Sequence, residues 1–175
     1  MESQNPTSLI IPVAEAVCVQ PFRVKHLHRP GVTMPPHITV RSPFKVVEDI
    51  TPQVLRTLAT LFRAYPPFDF MLGCTARFRD TGVLYLAPEP VTSFQALARA
   101  IDTQFPDLPV EHPHPVFHLT LAGKHPTGLD TIAEEFDHEY GSQLPITARA
   151  TQVHLYELRT NIWVKHTSFM LGHGQ

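Results

Sequence analysis

His37 and Thr39 stand two apart in MPPHITV, and His118 and Thr120 stand two apart in PVFHLTL. An imidazole, with an ordinary pKa of about 6.5, can give or take a proton near neutral pH, and a threonine hydroxyl beside it can hydrogen-bond a non-bridging phosphoryl oxygen. Side chains alternate along a strand. Each His-Thr pair therefore projects from one face, with Cα atoms about 7 Å apart, while Ile38 and Val40, or Leu119 and Leu121, project from the other. In-line displacement at phosphorus needs a base on one side of the reacting atom and an acid on the other. Two such strands supply both, and two unperturbed histidines would put the optimum between roughly pH 6 and 7.5.

Proline punctuates the elements that must position these strands. Leu9 to Val13 reads as a strand and Ala14 to His28 as a helix that Pro21 either delays or kinks. The motif strand His37 to Arg41 follows, then a helix from Pro52 to Ala64 with Thr51 as N-cap, and a hairpin of Phe68 to Phe78 with Val83 to Ala87 across Asp80, Thr81 and Gly82. The order then repeats. A helical stripe runs from Phe94 to Phe105, the second motif strand is Phe117 to Ala122, and a second stripe runs from Leu129 to Tyr140. Ile146 to Leu158 closes on Ile162 to Phe169 as a hairpin at Arg159, Thr160 and Asn161. His118 follows His37 by 81 positions and Asn161 follows Gly82 by 79, as expected of a diverged internal duplication. The repeats span about 14–87 and 90–169 of a single domain, 1–175.

Composition narrows the class. Of 175 residues 43% are apolar, enough for one substantial core, while 17% are charged and the formal net charge is −2. No global basic field recruits nucleic acid, so contact with a polyanion must come from local groups. Cys18 and Cys74 fit no zinc-ligand spacing and read as reduced thiols. Without a basic leader or an apolar run of spanning length, a soluble cytoplasmic protein without a membrane partner is expected, with a monomer as its state.

Four more residues are candidates for binding. Arg41 lies at i+4 from His37 and is either a phosphate ligand or a solvated strand-end charge. The second half has Ala122 there, with Lys124 one alternation on, so the cations break the symmetry. Tyr85 and Trp163 hold corresponding places in the two hairpins and either stack on a base or pack in the core. His112, His114 and His118 have the form H-x-H-x3-H, but Pro113 and Pro115 make the first two a loop, and no carboxylate or thiolate partner is evident, so no metal is expected.

With PPHITV, HLTL, the VLYLAPEP segment from Val83 to Pro90 and the proline-punctuated order of elements, nearly the whole chain resembles the two-histidine (2H) phosphoesterase superfamily. The similarity is to its branch of 2'-5' RNA ligase-like proteins and RNA 2',3'-cyclic phosphodiesterases. The resemblance implies a bilobal, pseudo-two-fold α+β fold with two antiparallel sheets around a central cleft and helices outside. It also implies no cofactor or metal, His37, Thr39, His118 and Thr120 as the catalytic set, and His118 as base with His37 as acid. The substrate expected is a nucleotide or RNA-end phosphodiester, either a 2',3'-cyclic phosphate or a 2'-5' bond. A non-catalytic nucleotide or RNA-end binding module and a ligase-direction activity are the alternatives.

Overall fold

Apolar alternation sorts the strands into two antiparallel four-stranded sheets of an α+β fold. The computed structural model describes residues 5–27, 34–110, 114–125 and 127–172. In chain order the elements are β1 (Thr7–Pro12), a 3-10 stretch Ala14–Val19, α1 (Gln20–His26), β2 (His37–Arg41), α2 (Pro52–Arg63), β3 (Phe68–Phe78) and β4 (Val83–Glu89). There follow α3 (Thr92–Gln104), β5 (Leu119–Ala122), α4 (Leu129–Tyr140), β6 (Ile146–Ala150), β7 (Gln152–Arg159) and β8 (Ile162–Met170). One sheet has the order β2-β1-β7-β8 and the other β5-β4-β3-β6. Each motif strand is thus an edge strand.

Pro21 delays the first helix rather than kinking it. Proline lacks the N–H that a helix interior needs but fits a first turn, so α1 starts at Gln20 with Pro21 in its opening turn. The expected end of that helix, His28, lies outside the described residues. Thr51 caps α2 by accepting a hydrogen bond from the Val54 N–H at 3.3 Å.

One expectation is corrected. Ile146 to Leu158 is not one strand but two, broken at Thr151, with β6 in one sheet and β7 in the other. The cause is a slip in the burial phase. Ile146, Ala148 and Ala150 reach the main core from even positions, whereas Val153 and Leu155 reach it from odd ones, while β7 buries His154 and Tyr156 on its other face. The chain therefore changes sheets at that point. As a result each sheet mixes the halves: β1 and β2 pair up with β7 and β8, while β3 and β4 join β5 and β6.

Leu9, Ile11, Ile38, Val40, Val153, Leu155 and Phe169 face the helices from the first sheet, and Phe70, Leu72, Leu84, Leu86, Leu119 and Leu121 do so from the second, in one continuous core. Phe94 of α3 sits 5.0 to 5.6 Å from Phe68, Phe70 and Phe117, and Phe62 of α2 sits 5.6 Å from Phe169. Each such phenylalanine contributes about 2–3 kcal/mol on burial. On the opposite face of the first sheet a second, smaller cluster of Ile10, Met34 and Tyr156 is buried.

Candidate active site

On β2, Ile38 and Val40 are buried while His37 and Thr39 remain partly exposed on the other face. Pairing with β1 sets His37 opposite Pro12 and Thr39 opposite Ile10. On β5 the same alternation buries Leu119 and Leu121 and leaves Thr120 partly exposed opposite Tyr85 of β4. The strand begins one residue after His118, two later than expected, yet His118 keeps its side of the alternation.

The two histidines share an orienting bond. His37 Nδ1 lies 2.8 Å from the carbonyl oxygen of Pro35, and His118 Nδ1 lies 2.6 Å from that of Val116, in each case two residues upstream. A carbonyl only accepts, so in both rings Nδ1 carries the proton and donates it. Nε2 is then the nitrogen each neutral ring keeps for a substrate. The duplication has reproduced the aim of the imidazole as well as the motif.

Their electrostatics differ from those of free histidine. Burial is the first cause that pushes His37 down to about 4, and the nearby Arg23 and His118 push the same way, against the Pro35 hydrogen bond, which favours the imidazolium. The two motif strands β2 and β5 lie against each other. Burial also lowers His118, opposed by its bond to Val116. In both rings burial favours the neutral imidazole.

Beside His118 stands an aromatic corner that has no counterpart at His37 among the described residues. Phe78 and Tyr85 stack with centroids 4.3 Å apart, and they lie 5.0 and 5.3 Å from the His118 ring. Tyr85 is thus in place beside the candidate histidine, held by Phe78, which the sequence reading passed over.

Comparison with known proteins bears on what this cleft is. The family model for the 2'-5' RNA ligase superfamily matches residues 11–161. The chain belongs to the 2'-5' RNA ligase superfamily. Among solved structures it is similar to one described as a phosphoesterase, at 14% identity and a TM-score of 0.67, over 98% of this chain and 100% of that one. It is similar over the same shares to E. coli LigT complexed with ATP, at 16% identity and a TM-score of 0.65, and with 3'-AMP, at 13% and 0.64. At such identities the likeness establishes the shared fold. No curated protein matches the sequence.

The remaining candidates of this superfamily member meet different fates. Arg41 forms an ion pair, Nε to Asp102 Oδ1 of α3 at 2.9 Å, and is not a solvated strand-end charge. Lys124 lies beyond the end of β5 with φ 64, which breaks the alternation that put it on the motif face. Trp163 is on β8 opposite Leu158 and packs on a small cluster of Ile10, Met34 and Tyr156, whereas Tyr85 is on β4 next to a motif strand, so the two are not counterparts in the paired sheets. Ile10 stands between Thr39 and His154 in one row across the first sheet. His154, with rings of Tyr156 6.2 Å away, has both ring nitrogens buried without a hydrogen-bond partner.

Among the described residues no group of three His, Cys, Asp or Glu could hold a metal ion, and His112 of the suspected triplet lies outside them. A hollow of about 830 Å³ between α2 and α3 is lined by Arg56, Thr57, Arg99 and Gln104 among others but by no histidine or carboxylate, so it cannot host the acid/base chemistry. No described helix is long and apolar enough to cross a membrane.

Sequence reading missed Arg23. It is only 2% exposed on α1, its Nε donates to the Thr120 carbonyl at 2.8 Å, and its Nη1 donates to Gln20 Oε1 at 2.6 Å. A signal was present: Val19, Phe22, Arg23 and His26 form the buried stripe of the segment, with a cation in a position otherwise given to packing.

Proposed function

We propose that this protein is a metal-independent phosphodiesterase that opens 2',3'-cyclic phosphates or cleaves 2'-5' bonds of nucleotides or RNA ends. The observation that supports the reading is the paired Nδ1 anchoring of His37 and His118, which leaves Nε2 of each ring for a substrate. In hydrolysis His118 Nε2 takes a proton from the attacking water, and protonated His37 gives one to the departing ribose oxygen. A P–O bond to water forms as the P–O bond to the sugar breaks, leaving a phosphomonoester and a free hydroxyl. Thr39 and Thr120 hydrogen-bond the non-bridging oxygens, where negative charge grows.

His37 holds no proton at neutral pH in the free protein, so its role as acid depends on substrate. An anionic phosphate beside the ring favours the imidazolium and offsets the burial that opposes it. E. coli LigT has been crystallised with ATP and with 3'-AMP, in keeping with a nucleotide as the substrate class here. Tyr85 beside His118 and Trp163 on the first sheet are the aromatic faces to which we assign base stacking.

The test is turnover of nucleoside 2',3'-cyclic phosphates and 2'-5' dinucleotides followed by chromatography. His37→Ala and His118→Ala should each lower the rate on the order of 10²- to 10⁴-fold, and the double variant should lose little more, because groups acting as a unit are non-additive. EDTA should leave the rate unchanged. Binding of a nucleoside 2'-phosphate with no turnover of either substrate, or activity abolished by EDTA and restored by a divalent cation, would overturn the reading.

A further inference from the structure

We infer that Arg23, carried by the first helix, is the cation that holds the substrate's phosphoryl group between the two motif strands. The inference rests on the functional reading above and adds a residue outside both motifs. It begins with a cost. A guanidinium 2% exposed has lost most of its hydration, which a protein normally offsets with a carboxylate. Among the described residues Arg23 has none: its hydrogen bonds there go to one backbone carbonyl and one neutral amide. Burial pushes it down only to about 10, so it is charged at neutral pH.

Its position gives the missing charge a purpose. β5 has only β4 beside it, and its free edge faces β2 across the seam between the sheets. The Thr120 carbonyl that Arg23 binds belongs to the motif residue itself, and α1 packs along β5. Arg23 also lies near enough to His37 to disfavour its imidazolium. One guanidinium therefore touches the second motif and acts on the histidine of the first.

The helix is pinned so that the side chain stays there. Phe22 packs 5.1 Å from Phe136 and 5.7 Å from Tyr140, His26 Nε2 meets Glu135 Oε1 at 3.1 Å, and the His26 carbonyl accepts from the Gly123 N–H just past β5. The other arginine at the motif strands is already neutralised, Arg41 by Asp102 of α3. Among the described residues Arg23 thus has no carboxylate partner at this seam, and a bound phosphoryl oxygen supplies its counter-charge through a charge-assisted hydrogen bond.

Inorganic phosphate is the probe. Its affinity for the wild type and for Arg23→Gln, which removes the charge but can still donate to the Thr120 carbonyl, is measured by calorimetry, with thermal unfolding and cyclic-nucleotide turnover recorded on the same preparations. Phosphate affinity should fall at least about tenfold in Arg23→Gln, and Arg23→Lys should recover part of it. Unchanged phosphate affinity in folded Arg23→Gln would overturn the inference whether or not the wild type turns over a cyclic nucleotide, so its failure is separate from that of the functional reading. Should Arg23→Gln not fold, the Arg23 Nε–H resonance of the wild type, assigned from the Arg23→Lys spectrum, is followed instead. It should shift on saturation with phosphate, and an unmoved resonance would equally overturn the inference.

Discussion

His37 links function to stability through one proton. Its pKa is lowered from an ordinary 6.5 to about 4, chiefly by burial, so the unfolded chain binds the proton more readily than the native one. Stability contributed by the neutral ring is therefore complete above pH 6.5 and is lost as pH falls toward 4. Between pH 7.5 and 5 the wild type should lose about 2 kcal/mol more than His37→Ala in urea titrations. Equal losses in the two proteins would place the proton elsewhere. The same shift moves the rate profile. Because kcat/KM reports the free enzyme and both histidines are lowered, its bell should peak between roughly pH 4 and 6.5, more acid than unperturbed histidines imply. The limbs of kcat should lie higher, since bound phosphate favours both imidazolium forms. A kcat/KM bell centred above pH 7 would contradict the burial of both rings.

At the scale of elements, turns and burial phase decide where strands end. The hairpin of β7 and β8 turns through Thr160 and Asn161 at φ 46 and 66, the left-handed pair that a two-residue hairpin of the right twist requires. Asparagine tolerates that region and a β-branched threonine does not. Thr160→Asn should stabilise the protein by about 0.5–1 kcal/mol in urea denaturation, and a destabilised variant would mean that Thr160 earns its place through side-chain contacts. The elements that sequence reading located best, β2, α2 and β3, are bounded by prolines or by a capping threonine, so local chemistry marks their ends. The break at Thr151 has no glycine or proline to announce it. Only the change of the phase that faces the main core, from Ala150 to Val153, records it, because the strand is leaving one sheet for another.

For the molecule as a whole, the exchange of strands between halves makes the fold indivisible. A fragment ending at the β3–β4 turn, residues 1–81, keeps β1 and β2 without β7 and β8, and β3 without the β4 and β6 that pair with it. Such a fragment should show no cooperative thermal transition by circular dichroism, and mixing it with residues 82–175 should restore one. Cooperative unfolding of either fragment alone would contradict the interleaved core. The same interleaving brings α1 from one half onto β5 of the other, and so carries Arg23 to a motif it is 97 positions away from.

By itself the sequence determined the reactive types and their faces. His37, Thr39, His118 and Thr120 sit on strands whose alternate residues are apolar, and alternation is a local property that survives any docking of the sheets. The tertiary structure alone decided which charges stand near them. Arg41 looked available from its spacing but is taken by Asp102, Lys124 falls past a residue-level break in the strand, and Arg23 comes from a helix that no local pattern ties to either motif. Electrostatic environment depends on distance through space and on burial, and both are set only when the two sheets and their helices close on one core.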